Sequence, residues 1–189
     1  MDAVFVSFGV IFLAELGDKS QLMALAFATR YRALPVLLGI TVATATVHLV
    51  SVLVGAVLGA ALPVRAITIA AGLAFLGFAA WTLRGDRLTD EEAERVERSQ
   101  GSAVVAASVA FFLAELGDKT MLATITLAAS GSLVAVWIGS TLGMVAADAL
   151  AIGVGRVLGD RLPERAVRIG AALAFLVFGL VLLVQGLRG

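Results

Sequence analysis

The sequence contains no cysteine, which excludes disulfide bonds and thiolate metal sites. Its single histidine, His48, gives no basis for a zinc site built from several imidazoles. Charged residues make up only 15% of the chain, whereas 60% of its residues are hydrophobic. With a mean hydropathy of +1.03, this composition excludes an ordinary water-soluble globular protein. We therefore expect an all-α integral membrane protein.

Six apolar segments run along the chain, separated by short polar or proline-containing connections. They cover residues 3–29, 34–62, 66–84, 102–129, 133–159 and 166–187. Each reaches the roughly 20 residues that a helix needs to cross about 30 Å of hydrocarbon. The sequence therefore predicts six transmembrane helices. The first should remain in the mature protein, because Glu15 and Asp18 interrupt its apolar run and no basic segment precedes it.

One nonapeptide occurs twice, each time in the middle of an apolar segment. It reads Phe12-Leu13-Ala14-Glu15-Leu16-Gly17-Asp18-Lys19-Ser20 and then Phe112-Leu113-Ala114-Glu115-Leu116-Gly117-Asp118-Lys119-Thr120. Matches at the same offset, such as Leu73-Ala74-Phe75-Leu76 with Leu173-Ala174-Phe175-Leu176, extend the similarity over both halves. We divide the chain into a three-helix repeat (1–84), an acidic linker (85–101) and a second three-helix repeat (102–189). Because each repeat crosses the membrane three times, the second repeat enters from the opposite side. It should therefore be inverted relative to the first, as in many secondary transporters.

The motif places acidic groups inside the bilayer, where a charged group costs roughly 3 kcal/mol. On a continuous helix, Glu15, Asp18 and Lys19 would lie on one stripe, which must face protein or water. Convergence of the two stripes at the midplane would bring four carboxylates together. These are the predicted metal ligands, Glu15, Asp18, Glu115 and Asp118. Such a cluster suits a hard divalent cation, whether calcium, manganese or magnesium.

The other motif residues have predicted supporting roles. Lys19 and Lys119 would provide charge compensation, each pairing with the glutamate four residues earlier until a cation arrives. Gly17 and Gly117 would permit close backbone approach or open the helix. Polar residues after the acids could act as neutral ligands, although hydroxyls in membranes commonly bond to their own helix. They are Ser20, Gln21 and Thr120.

Two further polar residues, His48 and Asp148, stand at matching positions near the middle of their segments. Histidine titrates near physiological pH and an intramembrane aspartate can relay protons. Both are therefore candidates for proton coupling. The alternative for His48 is a structural role, with its ring hydrogen-bonded to a threonine or a backbone carbonyl.

Basic residues predict the orientation. If the spans alternate, most arginines fall on one side, and Arg65 and Arg188 are the main exceptions. The positive-inside rule then places the central linker in the cytoplasm and both termini outside. We interpret the linker as a solvated acidic segment able to form a short helix, with a regulatory or cation-collecting role as the alternative.

The doubled E-x-G-D-[KR]-[ST] signature, at Glu15 to Ser20 and Glu115 to Thr120, closely resembles the Gdt / transmembrane-protein-165 family of cation transporters. The resemblance covers essentially the whole chain and implies a manganese or calcium transporter that exchanges the cation for protons. By the same resemblance, the motif acids would form the cation site. The compact linker and the absence of a targeting segment are typical of bacterial members, which implies the inner membrane.

The sequence thus favours a secondary exporter of manganese driven by proton entry through alternating access. Calcium/proton exchange as the main role and a passive cation channel remain open alternatives. An intramembrane aspartyl protease is a remote one, because its G-x-G-D pattern would need glycine where Glu15 and Glu115 stand. We expect no cofactor and no nucleic-acid partner; the partners would be the divalent cation, protons and membrane lipid. The oligomeric state is left open.

Overall fold

The computed structural model describes residues 2–84, 89–98, 101–158 and 164–188. Every regular element within these ranges is an α-helix, so the all-α class is confirmed. The helices are α1 (Asp2–Glu15), α2 (Lys19–Arg30), α3 (Ala33–Ala61), α4 (Val64–Arg84), α5 (Asp90–Arg98), α6 (Ala103–Glu115), α7 (Lys119–Ser130), α8 (Leu133–Leu158) and α9 (Glu164–Arg188).

The first and fourth apolar segments are not continuous helices. Each is divided at the motif, into α1 with α2 and into α6 with α7. The expectation that the motif forms one helical stripe was therefore wrong. The other four segments each form one helix, and the described residues include four stretches long and apolar enough to cross a membrane. These are Ala33–Ala61, Val64–Arg84, Leu133–Val154 and Arg168–Arg188.

Part of the acidic linker folds onto the helical bundle. Residues 85–88 and 99–100 lie outside the described ranges, but the acidic core forms α5. Glu92 and Val96 are buried on one side of this short helix, which contacts α2 and α6. Residues 90–98 of the linker are therefore helical, as the composition allowed, but they are not fully solvated.

Helices of the two halves pack against each other at matching positions. α1 packs on α8 and α6 packs on α3, while α4 packs along α9. A Cβ atom on Gly39 would lie 2.6 Å from the carbonyl oxygen of Val104 in α6. A Cβ atom on Gly139 would overlap the carbonyl oxygen of Val4 in α1 in the same way. The glycines thus let backbones touch directly, as small residues do in membrane helix pairs.

Candidate functional site

The two motifs form the same broken-helix geometry. At the first break, Gly17 has a φ of 75°, and at the second, Gly117 has a φ of 83°. Glycine adopts this left-handed conformation with little strain, which explains its place between the acids. Asp18 and Asp118 follow in extended conformation as the N-cap residues of α2 and α7. Their carboxylates lie where the positive end of a helix dipole stabilises negative charge.

Three of the four predicted metal ligands come together. One carboxylate oxygen from each of Glu15, Glu115 and Asp118 lies within 4.8 Å of the others. Both glutamates are completely buried and Asp118 is only 5% exposed. Asp18 is buried as well but is not part of this group of three. We call Glu15, Glu115 and Asp118 the carboxylate cluster.

Two hydroxyl groups hold the glutamates of the cluster. Ser20 Oγ donates a hydrogen bond to Glu15 Oε2, and Thr120 Oγ1 donates to Glu115 Oε2 at 2.8 Å. The second oxygen, Oε1, of each glutamate has no hydrogen-bond partner among the described residues. Buried carboxylate oxygens rarely remain without a partner. Each glutamate is therefore oriented through one oxygen, and its other oxygen makes no hydrogen bond in the described part of the chain.

The two lysines reach across to the opposite motif. Lys119 Nζ lies 2.7 Å from Asp18 Oδ1, and Lys19 Nζ lies 3.7 Å from Asp118 Oδ1. The sequence had predicted pairing with the glutamate four residues earlier. That prediction assumed a continuous helix, and the break at the motif removes the helical register on which such a pair depends.

Residues 21 and 121 stabilise the two breaks. Gln21 Oε1 accepts a hydrogen bond of 2.9 Å from the Gly17 N–H, and its Nε2 donates to the carbonyl oxygen of Ala147. At the matching position, Met121 Sδ lies 3.2 Å from the Gly117 nitrogen and accepts its N–H. Both polar groups of Gln21 are thus engaged in supporting the chain, whereas it was predicted as a neutral ligand.

His48 and Asp148 are almost completely buried, in α3 and α8. Neither ring nitrogen of His48 and neither carboxylate oxygen of Asp148 has a hydrogen-bond partner within the described part of the chain. The alternative of a hydrogen-bonded structural histidine therefore finds no support there. The carbonyl oxygen of Ala147, the residue before Asp148, accepts the hydrogen bond from Gln21, so this part of α8 lies against the start of α2.

Glu92 of the linker was not predicted from the sequence as a site residue. Its Oε1 lies 3.3 Å from Lys19 Nζ, the same ammonium that faces Asp118. Its Oε2 accepts hydrogen bonds from the backbone and hydroxyl of Thr89, and Thr89 Oγ1 accepts from the Glu92 N–H. This reciprocal pattern is a capping box, and the T-x-x-E spacing was a readable signal for the start of α5.

Charge and hydrogen bonding favour the ionised form of Glu92. Burial raises its pKa, but the hydrogen bonds from Thr89 and the ammonium of Lys19 outweigh burial and lower the pKa of Glu92 below 4.5.

At the other end of α5, Arg30 Nη1 donates to the carbonyl oxygens of Val96, at 2.7 Å, and Glu97. Both ends of α5 are therefore tied to α2.

Comparison with known proteins identifies one protein family. The model of the divalent cation/proton antiporter GDT1 family matches residues 3–90 and 103–189. No solved structure matches the chain.

Named relatives cover nearly all of the chain. A Vibrio cholerae protein whose name includes the words "manganese exporter" is 34% identical over 183 residues, which cover 95% of this chain and 90% of that protein. A GDT1-like protein of Synechocystis is 33% identical, with coverage of 91% and 92%. The chloroplastic protein PAM71 of Arabidopsis thaliana is 31% identical over 93% of this chain and 55% of its own length.

These matches describe transporters rather than proteases, so the enzyme alternative is set aside. They also agree with the apolar helices in identifying an integral membrane protein. The chain belongs to the divalent cation/proton antiporter GDT1 family.

Proposed function

We propose that this protein exports manganese from a bacterial cell in exchange for protons. The observation that carries the proposal is the carboxylate cluster, in which two buried glutamates each present one oxygen without a hydrogen-bond partner. Buried negative charges need protons, ammonium groups or a cation to balance them. Carboxylate oxygens are the ligands that hard divalent cations prefer, and manganese is among them.

Manganese is favoured over calcium by one relative. The Vibrio cholerae protein bears manganese in its name and aligns over almost its full length. An oxygen cluster can also accept calcium, so calcium/proton exchange is the second candidate. That relative, being bacterial, also supports the inner membrane as the location.

The proposed architecture has six spans in two inverted repeats. The spans would be α1 with α2, α3, α4, α6 with α7, α8, and α9. Reciprocal contacts support a two-fold relationship, since Lys19 faces Asp118 and Lys119 faces Asp18. A two-fold axis produces such reciprocity. The linker would then lie in the cytoplasm and both termini outside.

One contact supports the position of the axis. Thr44 Oγ1 lies 3.1 Å from Met144 Sδ, and these two residues occupy the same position in the two halves. Residues near a two-fold axis meet their own counterparts. His48 and Asp148 lie one helical turn further along α3 and α8, so each should serve a different side of the midplane.

Proton coupling follows from the charge balance. The motif residues and their two buried neighbours carry a net charge of −3 when all acids and lysines are ionised and His48 is neutral. The five acids are Glu15, Asp18, Glu115, Asp118 and Asp148, and the two cations are Lys19 and Lys119. A divalent cation would reduce this to −1, so protons and metal should compete for the same buried charge. We propose that Asp148 and His48 conduct those protons.

Purified protein in proteoliposomes tests this function. An imposed pH gradient should drive manganese movement against its own gradient, and manganese addition should move protons in return. Glu15→Gln and Glu115→Gln should abolish both movements. Glu94→Gln is a matched control, because Glu94 is exposed and pairs with Arg98 on α5. Manganese flux that does not depend on the pH gradient would identify a channel. A pH gradient that drives calcium more strongly than manganese would identify a calcium exchanger.

A further inference from the structure

The two halves are not equivalent at their lysines. Lys19 is shared between Asp118 in the cluster, at 3.7 Å, and Glu92 in the linker, at 3.3 Å. Lys119 lies only 2.7 Å from Asp18. Glu92 belongs to the linker that joins the two repeats and not to either repeat itself.

The same asymmetry is present among the carboxylates. Asp118 joins Glu15 and Glu115 in the cluster. Its partner Lys19 also contacts Glu92. Asp18, which lies 2.7 Å from Lys119 Nζ, is not in the cluster. An ammonium group held near an aspartate competes directly with a cation for its oxygens.

Glu92 is firmly positioned for this interaction. Its second oxygen is fixed by the capping box with Thr89, and Arg30 holds the other end of α5 on α2. Lys19, in turn, is the first residue of α2, so its side chain begins beside the helix break. Glu92 of the linker thus contacts Lys19, which in turn contacts Asp118 of the buried site.

We infer that Glu92 is a positioning residue that draws Lys19 away from Asp118 and so makes Asp118 available as a cation ligand. This inference rests on the proposed cation transport and assigns the linker a part in cation affinity. It makes the cation site asymmetric, with Glu15, Glu115 and Asp118 as the ligands and Asp18 neutralised by Lys119.

Glu92→Gln in the full chain tests the inference. Glutamine serves equally well at this position of a capping box, so the start of α5 should be kept while the charge is lost. Lys19 should then move to Asp118 and compete with manganese. We expect the KM for manganese transport to rise about tenfold, the size of a charge-assisted hydrogen bond, with the maximum rate retained.

Two matched variants complete the experiment. In a Lys19→Gln background, Glu92→Gln should leave the KM unchanged, because the lysine through which it acts is absent. Glu91→Gln, on an 85% exposed side chain of the same helix, should leave the KM unchanged in either background. Equal effects of Glu92→Gln with and without Lys19, or a fall in maximum rate at constant KM, would overturn the inference.

The proposed function and this inference can fail separately. If the unmodified protein moves neither manganese nor calcium in proteoliposomes, the proposed function fails. If the unmodified protein transports and Glu92→Gln has the KM of the original chain, only the role of Glu92 fails.

Discussion

Lys119 and Asp18 form a buried ion pair, with Nζ 2.7 Å from Oδ1 and side chains that are 3% and 0% exposed. The pair joins the start of α7 to the helix break of the other motif. It therefore connects the two copies of the motif across the site.

Lys119→Gln should destabilise the manganese-free protein strongly. Removing one partner of a buried ion pair costs about 3–5 kcal/mol, because the other charge is left without compensation. Lys19→Gln should cost less, since Lys19 is more exposed and its nearest carboxylate oxygen is 3.3 Å away. Thermal unfolding in detergent measures both. Adding Asp18→Asn to Lys119→Gln should restore much of the loss, and equal effects of the two lysine variants would contradict the prediction.

Thr120→Val should weaken manganese binding about tenfold, since hydrogen bonds to charged groups contribute about 1.5–3 kcal/mol. The Thr120 hydroxyl orients Glu115, and valine has a similar shape without the donor. Equilibrium binding of manganese measures the change. Thr126→Val is the control, because this exposed hydroxyl donates to Leu122 of its own helix. Similar losses in both variants would argue against a role for the Glu115 orientation.

Gly117→Ala should destabilise the second break although there is room for a methyl group. Apart from its two chain neighbours, no heavy atom of the described residues lies within 4 Å of the position that a Cβ would take, so the expected cost comes from the φ of 83°. For a residue with a Cβ this conformation costs roughly 1–2 kcal/mol, and asparagine tolerates it better. Unfolding temperatures should therefore fall in the order glycine, asparagine, alanine. An alanine variant as stable as the original would disprove the backbone argument.

Gly39→Ala should destabilise the α3–α6 contact. The added Cβ would lie 2.6 Å from the Val104 oxygen, and the forced backbone shift should cost about 1–3 kcal/mol. Gly77→Ala is the matched control in α4, because no heavy atom of the described residues beyond the neighbouring backbone of α4 lies within 4 Å of the added Cβ. There alanine should stabilise the helix by about 0.5–1 kcal/mol. Thermal unfolding of the two variants should shift in opposite directions.

Docking of α5 should depend on pH only in acid. Because the pKa of Glu92 is lowered in the folded protein, its stabilising contribution is fully present above 4.5 and is lost as pH falls through the lowered value. The chain has no cysteine, so a fluorophore on an Ala93→Cys variant reports on α5 alone. Its anisotropy should stay constant from neutral pH to about 4.5 and then fall. Glu92→Gln should remove this transition.

The apolar segments were predictable because hydrophobic length is a property of the local sequence. Their limits fall within a few residues of the helix ends, as for 34–62 and α3 (Ala33–Ala61). The positions of the helix breaks could be predicted, but not that the helices break there. Gly17 and Gly117 marked sites where a helix could open. A single glycine costs only about 1 kcal/mol in a helix, so its presence is compatible with either a continuous or a broken helix.

The pairing of charges could not be read from the sequence. Local spacing suggested pairs within each motif, whereas the observed partners belong to the opposite motif. The partner Glu92 is 73 residues from Lys19. The T-x-x-E spacing of Thr89 to Glu92 could have indicated where α5 begins, but the position of α5 against α2 depends on tertiary packing. The sequence singled out the four acids of the motifs, but it did not indicate that Asp18 would lie outside the group formed by the other three.

At Gly39 and Gly139 the facing backbones approach each other closely, with only small side chains such as those of Ala107 and Ser7 beside the contact. We therefore expect α3 with α6, and α8 with α1, to move as two rigid bodies during a transport cycle. Each rigid body contains helices from both halves of the chain. The moving parts of this protein would then differ from the two repeats of its sequence.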